Sequence, residues 1–267
     1  MLEELTIAQI KKAIQGKKVY SLDLVQALLD DPRQGVQKMG HNLKKEMEVR
    51  QNRIEKLKVM AAFDRKYCSR EGFNLAGVDE VGRGPLAGPV VAAAVLLRRG
   101  APLYGIKDSK ALSPARRQEL FCLIHKYSEA WGVGLVTPRE IDRLNIGRAS
   151  RRAMNLALGK IKTPIDGVLV DGNQALEGLG QEQTTVVGGD NKSLVIAAAS
   201  IVAKVIRDWI MECLDRSYPG YGFAHNKGYG SPDHLIALQE LGPCALHRFS
   251  FAPVREAGEQ KGGTLFE

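Results

Sequence analysis

Apolar and polar residues follow two different patterns along the chain. Over residues 6–14, 21–29 and 43–63 the apolar residues recur every three or four positions, which is typical of helices that bury one face. Thr6 precedes the first segment as a candidate N-cap, and Asp31-Pro32 ends the second. We therefore predict that residues 1–70 form a helical N-terminal extension. It would be either a nucleic-acid-binding appendage or a solvated arm packed on the main domain.

From residue 71 to residue 267 the pattern changes to short apolar runs separated by helical segments. Strands are predicted over residues 75–79, 90–97, 131–137, 168–171 and 184–187. Helices are predicted over residues 114–126, 139–159, 192–214 and 232–241. A short Gly-Pro connection joins the first two strands and favours an antiparallel pair, whereas the later strands follow helices and favour parallel pairing. The predicted fold class is α/β, a mixed sheet flanked by helices, with a C-terminal helical segment.

The first predicted strand ends in two adjacent acids and a glycine-rich turn. Asp79 and Glu80 close the apolar run, and Gly82-Arg83-Gly84 follows at once. Neighbouring side chains of a strand point to opposite faces, so the two acids share a site only if the strand is ending there. Two acids with no base between them attract a hard divalent cation, and the glycines let backbone N–H groups approach a ligand closely. The alternative is a strand end with two solvated acids.

Two further acids follow later strands. Asp171 ends the fourth predicted strand just before a glycine, and Asp190 follows the fifth and precedes a long apolar helix. Each has an ordinary structural alternative, an Asp-Gly turn for Asp171 and a helix N-cap for Asp190. Together with Asp79 and Glu80 they would place four carboxylates at one sheet edge. Ligands that are all oxygen favour Mg²⁺ or Mn²⁺, and two such ions would neutralise the cluster and assist hydrolysis of a phosphodiester.

The charge of the chain narrows the class of partner. The net charge is +8, and residues 1–70 hold 15 basic and 9 acidic residues against 23 and 21 in the remainder. A basic chain fits a polyanionic partner, although the signal is weak. The four cysteines are scattered without CxxC spacing, which favours a reducing compartment. The chain shows neither a leader nor an apolar run of membrane-span length, so we expect a cytoplasmic protein without a membrane anchor.

Several motifs, in order along the chain, resemble the bacterial ribonuclease HII family of type 2 ribonucleases H. Residues 79–94 read DEVGRGPLAGPVVAAA, which is similar to the family's Asp-Glu-x-Gly-Arg-Gly signature. Similar elements are the Asp-Ser-Lys at 108–110, the segment 190–208, the strip 221–234 and the segment 247–254. The resemblance covers residues 72–255 and leaves residues 1–70 unexplained. It implies a ribonuclease H-like catalytic domain over residues 71–267.

The resemblance also implies an activity. In this family the acids that match Asp79, Glu80, Asp171 and Asp190 bind two metal ions, Mg²⁺ or Mn²⁺. The implied reaction is hydrolysis of the RNA strand of RNA–DNA hybrids and cleavage 5′ of ribonucleotides embedded in duplex DNA, leaving 3′-OH and 5′-phosphate ends. We expect a monomer.

The resemblance further implies a set of substrate contacts. The glycine-rich turn would read the 2′-OH, Tyr229 would stack on the next sugar, and two lysines would touch phosphates. These contacts are Gly82, Arg83, Gly84, Lys110, Lys204 and Tyr229. The structural alternatives are an exposed loop lysine, a lysine snorkelling from a buried helix and an aromatic residue that packs locally. No role is predicted for Arg207, Asp208 or His247.

Two other functions are open. A dinucleotide-binding loop at residues 82–88 is disfavoured by Pro85 and by the two preceding acids, which would repel a pyrophosphate. A non-catalytic, basic nucleic-acid-binding module of the same fold would keep its acids solvated. An Asp79→Asn variant that still binds substrate but no longer turns it over would distinguish a hydrolase from such a module.

Overall fold

The computed structural model describes residues 4–15, 20–107 and 109–260. The chain divides into two compact units, Met1–Lys58 and Val59–Glu267. The boundary falls inside one long helix, whereas the sequence places the change of texture near residue 70. The assignment of residues 1–70 as a separate extension stays a prediction.

The first unit is helical, as its apolar spacing predicts. It contains α1 (Ile7–Ile14), α2 (Leu22–Leu29) and the first part of α3 (Gln34–Arg65). Thr6 begins α1 with a capping box, since its hydroxyl accepts from the Gln9 N–H at 3.3 Å while the Gln9 side chain accepts from the Thr6 N–H at 2.8 Å. The apolar faces meet in a small core made of Ile10, Val25, Leu28, Val36 and Leu43. The third helix begins nine residues before the predicted start, because its first turns are too polar to show the periodicity.

The second unit is built on a five-stranded mixed sheet. Its strands are β1 (Leu75–Val81), β2 (Val90–Leu97), β3 (Ser128–Val136), β4 (Gly167–Asp171) and β5 (Glu182–Val186). The strand order is β3-β2-β1-β4-β5. The predicted antiparallel β1–β2 pair and the parallel pairing of β4 and β5 are confirmed. The parallel prediction is wrong for β3, which follows a helix but lies beside the reversed strand β2 and pairs antiparallel with it.

The predicted helices are present, with one break. The helices of this unit after α3 are α4 (Pro114–Tyr127), α5 (Pro138–Leu144), α6 (Ile146–Leu158), α7 (Leu194–Ser217), α8 (Phe223–Asn226), α9 (Pro232–Leu241) and α10 (Ala252–Gln260). The single helix predicted over residues 139–159 is two helices, α5 and α6. Asn145 separates them with φ of 68°, and its side chain caps α6 by accepting from the Arg148 N–H at 3.1 Å.

Small residues bring α6 and α7 close to the sheet. A methyl group on Gly77 of β1 would lie 2.3 Å from the backbone of Val195 in α7, and one on Gly134 of β3 would lie 2.0 Å from the Ala153 carbonyl of α6. The alanine-rich stretch 197–203 of α7 is buried for the same reason. No helix in the described ranges is both long and apolar enough to cross a membrane. The close packing fixes α7 beneath the ends of β1 and β4.

Candidate active site

The parallel strands carry the predicted acids to one edge of the sheet. The register pairs Val78 of β1 with Val170 of β4, which are the residues immediately before Asp79 and Asp171. Asp190 follows β5, the next parallel strand, in a 3₁₀ turn spanning Gly189–Asn191. The carboxyl ends of neighbouring parallel strands meet at the same edge, so the backbone positions of the four acids lie at the ends of three adjacent strands. The first strand does not end at Asp79 as predicted, because β1 continues to Val81 and contains both Asp79 and Glu80.

The acids of β1 are held in an unfavourable electrostatic environment. Asp79 is 6% exposed, and burial together with the charges of Glu80 and Asp171 raises its pKa well above the usual range. The Ser200 hydroxyl and the Glu80 N–H offset part of that rise by hydrogen bonding to Asp79. Burial also raises the pKa of Glu80, against the opposing effect of Arg83. Both carboxyl groups therefore resist ionisation unless positive charge is supplied.

Asp79, Asp171 and Glu80 each contact a different nearby hydrogen-bond donor. Asp79 Oδ1 accepts from the Glu80 N–H at 2.7 Å, and Asp171 Oδ1 accepts from the Gly189 N–H at 2.7 Å. Glu80 Oε1 lies 3.2 Å from Arg83 Nη1. Over the described ranges, no three His, Cys, Asp or Glu side chains are gathered as a ready metal site. The four side chains offer only oxygen ligands, which suits a hard cation, and Arg83 offsets only part of their charge. Metal binding by these acids stays a prediction.

Asp190 does not cap the helix that follows it. Its Oδ1 accepts from the Asn191 side chain at 3.1 Å, and the N-cap of α7 is Ser193, whose hydroxyl accepts from the Ile196 N–H at 3.3 Å. A second carboxylate, Asp64 of α3, also reaches this helix start. The alternative that Asp190 caps this helix is therefore wrong. Asp190 follows Gly189, whose N–H donates to Asp171, so its backbone lies near the end of β4.

Two buried arginines hold the loop of residues 82–89, called here the glycine-rich loop, which begins with the turn Gly82-Arg83-Gly84. Arg207 of α7 donates to the carbonyls of Pro89, Lys227 and Ala87 at 2.9, 3.0 and 3.2 Å. A methyl group on Gly82, whose φ is 92°, would lie 2.2 Å from Arg207 Nε. Glycine is thus required there by both conformation and space.

Arg248 holds the same loop through other carbonyls. It donates to Gly82 at 2.6 Å, to Arg83 at 2.9 Å and twice to Gly88 at 2.9 and 3.0 Å. Burial lowers the pKa of both guanidinium groups, which is the usual effect of removing a charge from water. With these carbonyls engaged, the planes of the peptide groups that carry them are fixed, and so are the directions of their N–H groups. The sequence analysis assigned no role to Arg207 and did not single out Arg248.

Tyr229 lies beside this loop, as the substrate prediction requires. The Gly228 carbonyl accepts from the N–H groups of Leu86 and Ala87 at 2.8 and 3.2 Å. The Tyr229 ring is 39% exposed, its centroid lies 5.9 Å from the Arg207 guanidinium, and a methyl group on Gly84 would lie 3.9 Å from its Cε1. The structure therefore brings the glycine-rich turn and Tyr229 together on one accessible surface.

The two predicted lysines differ in their surroundings. Lys204 Nζ lies 2.6 Å from Asp208 Oδ1, and burial lowers its pKa against the opposing effect of that partner. Asp208 also pairs with Arg117 at 3.3 Å. Lys110 is exposed on a 3₁₀ turn over Ser109–Ala111. A phosphate would therefore meet Lys110 at the surface, whereas it would compete with Asp208 for Lys204.

The turn that carries Lys110 is linked to the acidic edge. The Ser109 hydroxyl lies 3.0 Å from that of Ser200, and Ser200 in turn lies beside Asp79. Arg117 donates to the Ser109 and Leu112 carbonyls at 3.0 and 3.1 Å. The sequence analysis did not identify the contribution of Arg117, and Asp108 of the Asp-Ser-Lys element lies outside the described residues.

The dinucleotide-loop alternative fails on topology. Residues 82–89 connect β1 to the antiparallel strand β2 rather than opening a helix. A pyrophosphate-binding glycine loop needs a helix N-terminus directly behind it. This loop offers none.

Family models identify the chain. A model described as Ribonuclease HII matches residues 76–254, and one described as Ribonuclease HII N-terminal domain matches residues 6–68. The chain belongs to the ribonuclease HII family. A Ribonuclease HII from Moorella thermoacetica is 52% identical over 74% of the chain and 95% of the relative. One from Pelotomaculum thermopropionicum is 41% identical over 98% of both chains.

A solved structure supports the fold. The ribonuclease H2 from Pyrococcus horikoshii OT3 superposes with a TM-score of 0.63 at 27% identity, over 70% of this chain and 98% of the other. The predicted ribonuclease H-like mixed sheet with an N-terminal helical region is confirmed. The chain is thus a ribonuclease H that acts on RNA–DNA hybrids, and its family is metal-dependent. The individual site residues remain predictions from motif and geometry.

Proposed function

We propose that this ribonuclease HII also cuts duplex DNA on the 5′ side of an embedded ribonucleotide, leaving 3′-OH and 5′-phosphate ends. The observation that carries the hydrolytic part of the proposal is the Asp79 carboxyl, which is 6% exposed and whose pKa is raised by burial and by the charges of Glu80 and Asp171. Such a cluster would destabilise a protein that only binds nucleic acid and would weaken its binding, because the acids repel one another and repel phosphates. It is useful where a divalent cation completes it.

The carboxylates are proposed as the metal ligands. Asp79, Glu80, Asp171 and Asp190 would hold two Mg²⁺ or Mn²⁺ ions, which when bound would activate a water and stabilise the leaving oxygen of the phosphodiester. The chain itself contributes the placement of these oxygens at three neighbouring strand ends. Ser200 contributes a hydrogen bond that favours the ionised form of Asp79.

The neighbouring surface is proposed as the reader of the ribose. Backbone groups of Gly82, Arg83 and Gly84 would bond to the 2′-OH, which is the group that distinguishes a ribonucleotide within DNA. Arg248 holds the Gly82 and Arg83 carbonyls and so fixes the directions of the Arg83 and Gly84 N–H groups. Tyr229, on the same surface, would stack on the sugar that follows and so favour the junction between RNA and DNA. Lys110 is proposed to contact a backbone phosphate from its exposed turn, and Lys204 to do so only by leaving Asp208.

The division of labour along the chain is part of the proposal. Residues 71–267 would carry catalysis, and residues 1–70 would serve as the helical extension. The cytoplasmic location and the monomeric state rest on composition and resemblance alone.

The test uses a labelled DNA duplex that contains one ribonucleotide, beside a continuous RNA–DNA hybrid. Each substrate is incubated with the wild type, Asp79→Asn, Asp171→Asn and the surface control Glu256→Gln, in Mg²⁺, Mn²⁺ or EDTA. We expect a metal-dependent cut just 5′ of the ribonucleotide, and a loss on the order of 10³-fold in each site variant, as removal of a metal ligand removes several kcal/mol of transition-state stabilisation. Glu256 is exposed on α10, so its variant should cut at the wild-type rate.

The arms separate the parts of the proposal. Cleavage of the hybrid without cleavage at the single ribonucleotide would refute the excision activity and keep the hybrid activity. Undiminished cleavage by Asp171→Asn would refute the carboxylate assignment. Binding without cleavage on either substrate would leave a basic binding module of the same fold.

A further inference from the structure

The turn that presents Tyr229 is held by a pair of buried histidines. His234 on α9 and His247, just after α9, are fully buried, and their Nε2 atoms lie 3.1 Å apart. His234 Nδ1 lies 2.8 Å from the Tyr229 carbonyl oxygen. His247 Nδ1 lies 3.0 Å from the backbone nitrogen of Cys244. The two rings thus form a continuous chain of contacts from the C-terminal segment to Tyr229.

Hydrogen-bond chemistry allows one arrangement of protons along this chain. The Cys244 backbone nitrogen can only donate, so His247 Nδ1 accepts and His247 Nε2 carries the proton. His247 Nε2–H then donates to His234 Nε2, which leaves the His234 proton on Nδ1. That proton is donated to the Tyr229 carbonyl, a group that can only accept. Every nitrogen of both rings is satisfied, and both rings are neutral.

A further proton on either ring would break the chain. A protonated His234 would direct a second N–H at the His247 N–H across 3.1 Å, and a protonated His247 would direct one at the Cys244 N–H. Burial lowers the pKa of both imidazoles, that of His247 to about 4, which agrees with the neutral arrangement. The titratable groups that face the pair are the Tyr221 phenol and the Cys244 thiol, and burial raises the pKa of both, so they are neutral as well.

The surroundings exclude a metal as the reason for the cluster. Cys244 Sγ and His234 Nε2 contact opposite nitrogens of the His247 ring, at 3.2 and 3.1 Å. One ion cannot touch both nitrogens of an imidazole, so the three side chains do not form a zinc site. Aromatic rings enclose the pair instead, with the Phe223 centroid 5.4 and 5.8 Å from those of His234 and His247.

We infer that His234 and His247 are positioning residues that act on the substrate through Tyr229. The Tyr229 carbonyl accepts from two donors, the Ser231 N–H at 2.8 Å and His234 Nδ1–H at 2.8 Å. Of these, only the His234 donor depends on a side chain, and His247 sets its tautomer. We call the hydrogen-bonded chain from Cys244 through His247 and His234 to Tyr229 the histidine relay. Without this relay, the turn that carries the Tyr229 ring could reorient beside Gly84. The inference rests on the proposed contact between Tyr229 and the substrate.

The first test is a matched pair of substitutions at His234. In His234→Asn the side-chain amide N–H can take the place of Nδ1–H and keep the hydrogen bond to the Tyr229 carbonyl. His234→Leu fills the space among the surrounding aromatic rings but has no hydrogen-bond donor. We expect His234→Leu to lower kcat/KM on the single-ribonucleotide duplex by about tenfold, as for loss of one buried hydrogen bond, and His234→Asn to retain most of the activity. Equal losses in the two variants would overturn the relay.

A double-mutant cycle separates positioning from general destabilisation. If His234 acts through Tyr229, the effect of His234→Leu on kcat/KM should shrink below about twofold in a Tyr229→Ala background, because the group being positioned is gone. An unchanged tenfold effect in that background would overturn the inference while leaving the Tyr229 contact intact. A Tyr229→Ala enzyme with wild-type kcat/KM would instead refute the Tyr229 contact, and the relay with it.

A measurement on the unsubstituted protein guards against variants that fold poorly. Nitrogen NMR of ¹⁵N-imidazole-labelled protein at neutral pH should find the proton of His247 on Nε2 and that of His234 on Nδ1. The opposite tautomer at either ring, or a charged ring at neutral pH, would overturn the relay.

Discussion

Two sets of buried charges flank the proposed ribose-reading surface, and they are treated in opposite ways. Arg207 and Arg248 have their charge met by carbonyl oxygens of the glycine-rich loop and of Lys227. Asp79 is buried and Glu80 is half-buried, both are affected by the charge of Asp171, and both have raised pKa values. The two guanidinium groups therefore have hydrogen-bond acceptors within the protein. The two carboxyl groups keep raised pKa values, which a bound cation would lower.

The difference teaches how this site divides its tasks. A loop proposed to read a 2′-OH benefits from being rigid before substrate arrives, and the peptide planes at the Gly82 and Arg83 carbonyls are fixed by hydrogen bonds from Arg248. In the proposed metal site the repulsion among the carboxylates is offset only in part by Arg83 and by hydrogen bonds, so a bound cation would stabilise their ionised forms. If this contrast is right, removing a charge should have opposite effects on stability in the two sets.

The largest expected effect is on the cationic side. Arg248→Met should lower the free energy of unfolding by about 3 kcal/mol or more, because it leaves the buried carbonyls of Gly82, Arg83 and Gly88 without their donor and each such loss costs about 1–3 kcal/mol. Urea denaturation followed by circular dichroism measures this.

The matched control for that prediction is Arg255→Met, an arginine exposed on α10. It should change the free energy of unfolding by no more than about 0.5 kcal/mol, as surface substitutions usually do. If Arg248→Met unfolds at the same urea concentration as Arg255→Met, the loop does not depend on its buried guanidinium.

A smaller effect of opposite sign is expected on the anionic side. The pKa of Asp79 is higher in the folded than in the unfolded state, so the folded state binds more protons and stability falls as pH rises through that window. The penalty grows from the unfolded-state pKa upward and is complete only once the pH exceeds the raised folded-state pKa. Asp79→Asn removes the charge and keeps an acceptor oxygen, so in EDTA its Tm should rise by a few degrees, where about 1 kcal/mol corresponds to roughly 2–4 °C for a domain of this size.

Divalent cation provides the control for this second prediction. Mg²⁺ should raise the Tm of the wild type by binding the folded state alone, and should raise that of Asp79→Asn much less. The same scans on Glu256→Gln should reproduce the wild type in both conditions. A Tm for Asp79→Asn at or below that of the wild type in EDTA would show that the acid is not electrostatically strained.

Local patterns predicted much of the fold. The strand β2 and the helix α9 occur at the predicted residues, because an uninterrupted apolar run and a Ser231-Pro232 cap are signals contained in the segment itself. The break at Asn145 was missed, since a left-handed residue inside an amphipathic stretch leaves the apolar period nearly unchanged.

The site was predictable to the extent that it follows strand ends. The parallel order of β1, β4 and β5 brings Asp79 and Asp171 to one edge, as the apolar runs before them suggested. The supporting groups were not predictable, because their partners are distant in sequence. Arg248 bonds to carbonyls some 160 residues earlier, and carbonyl positions have no signature in sequence.

Asp64 is intermediate between the fully hydrogen-bonded arginines and Asp79. It gives the prediction with the smallest expected effect on stability. Its Oδ2 accepts from the N–H groups of Leu194 and Val195 at 3.0 and 3.1 Å, at the start of α7, but its Oδ1 has no hydrogen-bond partner within the described ranges. Burial raises its pKa from 3.8 to about 6 despite these bonds. The carboxylate thus caps a helix that begins beside the acidic edge while remaining only half satisfied.

Two substitutions at Asp64 should therefore distinguish the stability effect of losing the helix cap from that of losing the negative charge. Asp64→Ala should cost about 1 kcal/mol of unfolding free energy through loss of the cap, whereas Asp64→Asn retains an acceptor and removes the charge. Because the folded-state pKa is raised, the wild type loses stability as pH rises from about 4 to about 6, and Asp64→Asn should gain relative to it over that interval. Urea denaturation at pH 4.5 and pH 7 measures both effects. A difference between Asp64→Asn and the wild type that stays constant over this interval would place Asp64 with the fully satisfied arginines rather than with Asp79.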